Sequence, residues 1–344
     1  MSRWRSFGLL GGFVVAMLGF GAWYSYEQLH AEPEIPVKAT LTVYTDLPNN
    51  VTSFLADEYL NEAQVRINVM PLTGEQMAKR LDSNYLDQRG DIVLTSKDNL
   101  MLGAKSDHLL GMYSERMDLI APTFKDSEGR WVGLWYDPVV FTQNTSYYNR
   151  LGQFITTWGT LAKEGPWTVV MTDFMTSESA ANILHSFVEI HGEAATVAYL
   201  KSLGTHVTQY AKYLDTPIRL ASLNEANIGI GNYSDGSFYV RQGYPVKVIF
   251  PLDGTPYYLT GAGILKSSNQ YAESVQFINW LLSAKTAQEM QEAGYSYFFT
   301  NPEVKDPVDS LGHPLVLLET QGGYTVEGKK SLLEIWLKQV RFGQ

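Results

Sequence analysis

Cysteine is absent from the entire chain. That absence excludes disulfides, thiolate metal centres, thiol nucleophiles and lipid attachment through an N-terminal cysteine. Positive charge is scarce as well: 26 Lys and Arg stand against 36 Asp and Glu, a formal net charge of -10. No cluster of Lys and Arg interrupts this balance, so nucleic acid is excluded as a partner, because phosphate recognition needs grouped cations. Catalytic signatures are missing too, and no G-x-S-x-G turn occurs. "GGYTVEGKK" (residues 322–330) has Lys330 where a phosphate-binding loop needs a magnesium-binding Ser or Thr. No buried-strand pattern precedes it, so it reads as a surface turn. "GIGNYS" (residues 229–234) lacks the third glycine and the long helix of a dinucleotide fingerprint. His185, Glu189 and His191 share one predicted helix, but a spacing of i to i+6 puts the two histidines on different faces. Zinc-protease ligands stand at i and i+4. Nothing in these motifs argues for a catalytic centre, and neither a metal site nor a cofactor is expected.

What is present begins with the N-terminus. Arg3 and Arg5 precede an uncharged, mostly apolar stretch over residues 8–23, the layout of a signal peptide. Cleavage after Ala31 would remove residues 1–31. The stretch is just short of the ~20 residues of a membrane span, so retention as an uncleaved anchor is the alternative. Either way the arginines stay in the cytoplasm and the rest of the chain is extracytoplasmic, in the periplasm or at the cell surface.

From Lys38 onward strand and helix signals alternate, the α/β pattern. "TLTVY" (40–44), "RINVM" (66–70) and "DIVL" (91–94) are strands separated by amphipathic helices. "VGLWYDPVVFTQN" (132–144) is a long extended run broken by Pro138, which cannot donate to a sheet ladder. A second cycle starts at "WTVVM" (167–171), and "YYLTGAGILKS" (257–267) is a second long extended run. With 344 residues the chain has room for two domains. Two cycles joined by two extended runs predict two lobes, residues 38–137 plus 262–344 and residues 138–261.

In open α/β sheets ligands bind beyond the carboxyl ends of strands. The loops there are rich in small polar groups: Tyr44, Thr45 and Asp46; Thr95, Ser96 and Lys97; Ser177 and Ser179; Asn232, Tyr233 and Ser234. Trp135, Tyr136 and Asp137 lie on the crossover, facing any cleft between lobes. Together they make a candidate ligand pocket with stacking surfaces. Each has a plainer reading beside it. Ser177, Ser179 and Asp235 stand where helix N-caps belong, and Trp135 and Tyr136 could be packing aromatics.

The order of "LTVYTD", "GDIVLTSKDNL", "WVGLWYDPVVFTQN", "NEANIGIGNYS", "YPVKVIFPLDGT" and "TGAGILKSSNQYAESVQFINWLLSAKTAQ" resembles the extracytoplasmic solute-binding proteins of bacterial ABC importers. More narrowly, it is similar to the group that includes ferric-ion-binding periplasmic proteins. The resemblance implies a two-lobed periplasmic-binding-protein type II fold with two hinge strands, closing on a small-molecule ligand without chemistry. It also implies a monomer that hands its ligand to an ABC permease in the cytoplasmic membrane. Ferric-binding members hold the ion with paired tyrosines after the strand equivalent to "NIGIG", often with a histidine and a glutamate from the first two loops. Tyr233 matches the first tyrosine, but Ser234 replaces the second, "YTDLP" has no histidine, and Ser96 and Lys97 stand where a carboxylate is expected. Hard Fe³⁺ favours phenolate and carboxylate oxygens, and Lys97 would repel it. A small polar organic solute, such as a phosphonate, phosphate ester or zwitterion, is therefore expected. Ferric ion is the alternative cargo, and presentation of the solute to a membrane histidine kinase is the alternative role.

Overall fold

A computed structural model describes residues 36–84, 89–320, 322 and 324–343; the expected leader, residues 1–31, lies outside them. Among the described residues no helix is long and apolar enough to cross a membrane. The first lobe begins with β1 (Ala39–Thr45), α1 (Asn49–Ala63), β2 (Val65–Pro71), α2 (Gly74–Leu81), β3 (Ile92–Ser96) and α3 (Lys97–Lys105). In β1 the alternation of the sequence puts Leu41 and Val43 inside. α1 buries Val51, Leu55 and Tyr59 along one stripe. Thr73 and Gln76 form a capping box at α2, and Ser96 caps α3. β4 (Leu109–Leu110) and α4 (Glu115–Leu119) complete this part.

β5 (Val132–Asn144) carries the chain across, and it is buried along its whole length. Its first half pairs antiparallel with β10 (Tyr257–Leu265), for example Trp135 with Thr260 and Asp137 with Tyr258. Its second half pairs with β8 (Ile228–Asn232) and β9 (Val246–Ile249). Pro138 stands where the strand changes partners, a place where a missing donor costs little. The second lobe comprises α5 (Thr145–Leu151), α6 (Trp158–Leu161), β6 (Val169–Thr172), α7 (Glu178–His191), α8 (Glu193–Gly204), β7 (Val207–Ala211), α9 (Thr216–Ser222), β8, α10 (Tyr233–Arg241) and β9. The joined sheet runs β2-β1-β3-β10-β5-β8-β6-β7. The glycines of "GIGNYS" serve packing: a Cβ on Gly229 would sit 2.3 Å from the Pro217 carbonyl oxygen of α9.

Residues 250–256 carry the chain back to β10, followed by α11 (Tyr271–Leu281), α12 (Ala284–Glu292) and β11 (Phe298–Phe299). Two features depart from the expected division of the chain. The first sheet is rejoined at Tyr257, where β10 pairs with β5, rather than at residue 262. Second, the C-terminal third does not all stay in the first lobe. Residues 300–320 run beside the return crossing as a third, irregular connection. Val316 O accepts from Thr255 N and Leu318 N donates to Thr255 O, both at 2.9 Å, while buried Asp309 accepts from Phe250 N at 3.1 Å. They deliver α13 (Val326–Trp336) to the second lobe, where Leu332 and Trp336 join its core. Trp336 packs on Phe174 and Tyr210 with ring centroids 4.8 and 5.7 Å away. The first turn of α13 falls within the stretch expected to be a surface turn, and its delivery to the second lobe was not foreseen.

Candidate functional site

A pocket lies between α3 of the first lobe, α7 of the second, the start of β10 and the C-terminal segment. It is narrow and open to solvent, with a cavity volume of about 40 Å³. From the first lobe come Ser96, Lys97 and Asp98; from α7 come Glu178, Asn182, His185, Ser186 and Glu189. Tyr257 and Tyr258 of β10, with Thr320, Gly322, Tyr324 and Lys329 of the C-terminal segment, complete the lining.

Charge is arranged asymmetrically in this pocket. Lys329 Nζ lies 2.5 Å from Asp98 Oδ2 and 2.9 Å from Glu178 Oε1, so one ammonium spans a carboxylate from each lobe. Burial works against the lysine's charge, but those two carboxylates outweigh it and hold its pKa above the ordinary value. Lys97 Nζ donates to Thr320 O at 3.2 Å; burial pulls its pKa down, opposed by Asp98 and Glu189. His185 is buried and pushed down to about 4, first by burial and then by Lys329, so its imidazole is neutral at physiological pH. Two lysines thus face three carboxylates across the lining. Burial drives the Tyr258 phenol well above its ordinary range, with Glu178 and Asp46 adding to the rise, so it remains a donor.

Of the residues singled out in the sequence, Ser96 and Lys97 line the pocket. Thr95 and Asp46 lie on its first-lobe flank. Thr95 Oγ1 donates to Asp46 Oδ2 at 2.7 Å and Asn99 Nδ2 does so at 3.3 Å, while Asp46 Oδ1 is buried without a partner. Burial pushes Asp46 up to about 6 despite these bonds, and Glu178 adds to the rise. Thr45 is buried and its Oγ1 accepts from Leu47 N at 3.1 Å, fixing the turn after β1. Tyr44 lies under Arg80, whose guanidinium carbon is 3.6 Å from the ring centroid.

The remaining candidates are placed elsewhere than on the pocket lining. Trp135 is in the first-lobe core, stacked on Tyr297 at 5.9 Å. Tyr136 is stacked between Phe124 and Phe298 at 5.2 and 5.4 Å. Their aromatic character serves packing of the crossover. Tyr233 is half-buried with its ring edge-on to Phe250 and Phe298. Ser234 N and Oγ donate to Asp137 Oδ1 and Oδ2 at 3.0 and 2.5 Å. Asn232 gives α10 no side-chain cap, so Asp137, on the crossing strand, supplies the acceptor at that helix N-terminus. Burial nevertheless pushes Asp137 up to about 7. Ser177 caps α7 through Ala180 N, and Ser179 and Asn232 bond each other at 3.3 Å.

Much of the pocket escaped the sequence reading, yet part of it left a signal. Glu178, Asn182, His185 with Ser186, and Glu189 recur at helical spacing, a polar stripe on an otherwise apolar helix. His185 was weighed there only as a zinc ligand. Lys329, by contrast, belongs to the "GGYTVEGKK" stretch taken for a surface turn. It is on α13, which Thr325 caps, and it reaches the pocket.

Two lobes, crossing strands between them and a polar pocket at their junction define a periplasmic-binding-protein type II fold. The family profile described as "Bacterial extracellular solute-binding protein" matches residues 87–316, and the chain belongs to that family, the solute-binding components of ABC importers. An uncharacterized protein of Haemophilus influenzae is 28% identical over 243 residues, 67% of this chain and 70% of the relative. The periplasmic binding protein AfuA of Actinobacillus pleuropneumoniae, solved with fructose-6-phosphate bound, superimposes with a TM-score of 0.71 at 21% identity, covering 88% of this chain and 99% of AfuA. Iron-bound HitA of Pseudomonas aeruginosa gives a TM-score of 0.72 at 17% identity, covering 86% of this chain and 98% of HitA. At these identities the two structures speak for the fold.

Proposed function

We propose that the protein captures a small polar organic solute between its lobes and presents it to an ABC permease, acting as an exported monomer that does no chemistry on its cargo. The observation that carries this reading is the composition of the pocket: hydroxyls, an amide and a neutral imidazole, with two lysines and three carboxylates around them. Such a lining suits a solute bearing an anionic oxygen group and a second polar or ammonium group, a phosphonate, phosphate ester or zwitterion. AfuA, with its sugar phosphate, shows that this fold accommodates a cargo of that class. Ferric ion is less well served. Ser234, standing where the second tyrosine of ferric-binding members is expected, is engaged with Asp137. Titration with ferric nitrilotriacetate tests the point. No tyrosinate-to-iron charge-transfer band is expected; a visible band that survives a competing chelator overturns the organic-solute reading.

A further inference from the structure

Two polar atoms in the pocket have no partner. Tyr257 Oη and His185 Nε2 are both buried and without a hydrogen bond, on side chains 7% and 5% exposed that line the cavity. Buried polar groups in folded proteins are almost always satisfied, and these two orphans belong to side chains that line the same pocket, which marks them as places for a ligand. Both are rigidly placed. Tyr257 opens β10 opposite Pro138, its ring edge-on to Tyr136 at 5.4 Å, and its carbonyl accepts from Asn182 Nδ2 at 2.6 Å. His185 stands one turn beyond Asn182 on α7, its ring 5.7 Å from that of Tyr324.

Both atoms can bond a hydroxyl. Burial, with Glu189 and Glu319 adding, pushes the Tyr257 phenol up to about 12, so it keeps its proton and can donate. Nε2 is the His185 ring nitrogen left buried without a partner. A neutral imidazole carries one N–H and one lone pair, so Nε2 donates or accepts according to its tautomer, and a hydroxyl satisfies it in either sense.

We propose that Tyr257 and His185 are specificity residues that read hydroxyl functions of the solute, bonding them through the Tyr257 phenol and the unpartnered His185 Nε2. The cargo is then a hydroxylated anion or zwitterion, with Lys97 on the neighbouring wall facing its anionic group. This rests on the organic-solute reading above and narrows it. A site built to bond a hydroxyl rejects analogues that lack it, because its own buried groups are left unpaired.

The test is a competition. Full-length wild type, Tyr257→Phe and His185→Gln are incubated with an equimolar mixture of fructose 6-phosphate, glycerol 3-phosphate, 2-aminoethylphosphonate and methylphosphonate, with ferric nitrilotriacetate in parallel samples. After desalting, released molecules are quantified by mass spectrometry, and circular dichroism verifies that each variant is folded. The wild type should retain a hydroxylated phosphate over the hydroxyl-free phosphonates, and each variant should lose that preference at least tenfold. The preference ratio is the decisive readout, since a merely structural role would lower all four together. Equal or better retention of the hydroxyl-free compounds, or an unchanged ratio in both variants, overturns this inference and leaves organic-solute capture standing. Retention of none of the four also overturns it, and ferric ion uptake in the parallel samples then overturns the proposed function as well.

Discussion

Lys329 is fixed to the second lobe through α13, so its bond to Asp98 of the first lobe is a direct electrostatic link across the cleft. Replacement by Met keeps most of the aliphatic stem but removes the ammonium, leaving Asp98 and Glu178 without their shared cation. The three side chains are 17%, 29% and 33% exposed, between the surface regime, where a pair contributes up to about 1 kcal/mol, and the buried regime, where breaking one costs about 3–5 kcal/mol. A value of about 1–2 kcal/mol for the cross-lobe bond follows. Because ~1.4 kcal/mol is a factor of ten in an equilibrium constant, Lys329→Met should shift the ligand-free balance towards open forms by roughly tenfold. Small-angle X-ray scattering of ligand-free protein reads this as a larger radius of gyration. Wild type in 1 M salt should move the same way by a smaller amount, because these groups are only partly shielded from ions. Identical scattering curves for wild type and variant at low salt would refute the view that this lysine holds the lobes together.

Three further outcomes are expected. Asp137 is raised from 3.8 to about 7, so its contribution to stability is fully present below about pH 4 and lost as pH rises through 7, by at most roughly 4 kcal/mol at ~1.4 kcal/mol per pH unit. Asp46 and Asp235, raised to about 6, share the sign; in urea denaturation Asp137→Asn should flatten the fall that remains between pH 6 and 7, and an equally steep fall would contradict the assignment. Ser234→Ala removes the hydroxyl bonded to Asp137 Oδ2 and should lower unfolding free energy by about 1–3 kcal/mol, a cost that largely disappears in the Asp137→Asn background; additive losses in that double-mutant cycle would contradict the pairing. Trp135→Ala should cost about 3–5 kcal/mol of stability, the loss typical of an emptied core site, without changing the amount of solute retained per folded chain. A stable variant with impaired retention would return Trp135 to the ligand.

The lobes and crossing strands were legible because they follow from periodicity: β1 alternates, β5 and β10 are long extended runs, and Pro138 marks a change of partner. Ser96 and Lys97 line the pocket because β3 delivers its capping residue and first helical residue to one edge of the sheet. Trp135, Tyr136 and Ser234 lie off the pocket lining, since a residue near a strand end can turn equally to core, hinge or cleft. Local pattern does not say which. Asp137 shows the difficulty: its acceptor serves a helix almost a hundred residues downstream. The polar face of α7 was visible at 3.6-residue spacing, but its meaning depended on what packs opposite. Lys329 had no local signal at all, because a third crossing brings it to the site.

The central claim, that the cleft takes an organic solute, is tested most directly by what the protein carries when it is purified. Full-length protein is purified quickly, denatured, and the released material analysed by mass spectrometry for small molecules and for metals. A stoichiometric amount of one hydroxylated anionic or zwitterionic solute, with only trace iron, is the predicted result. Stoichiometric iron with no organic solute would contradict the account.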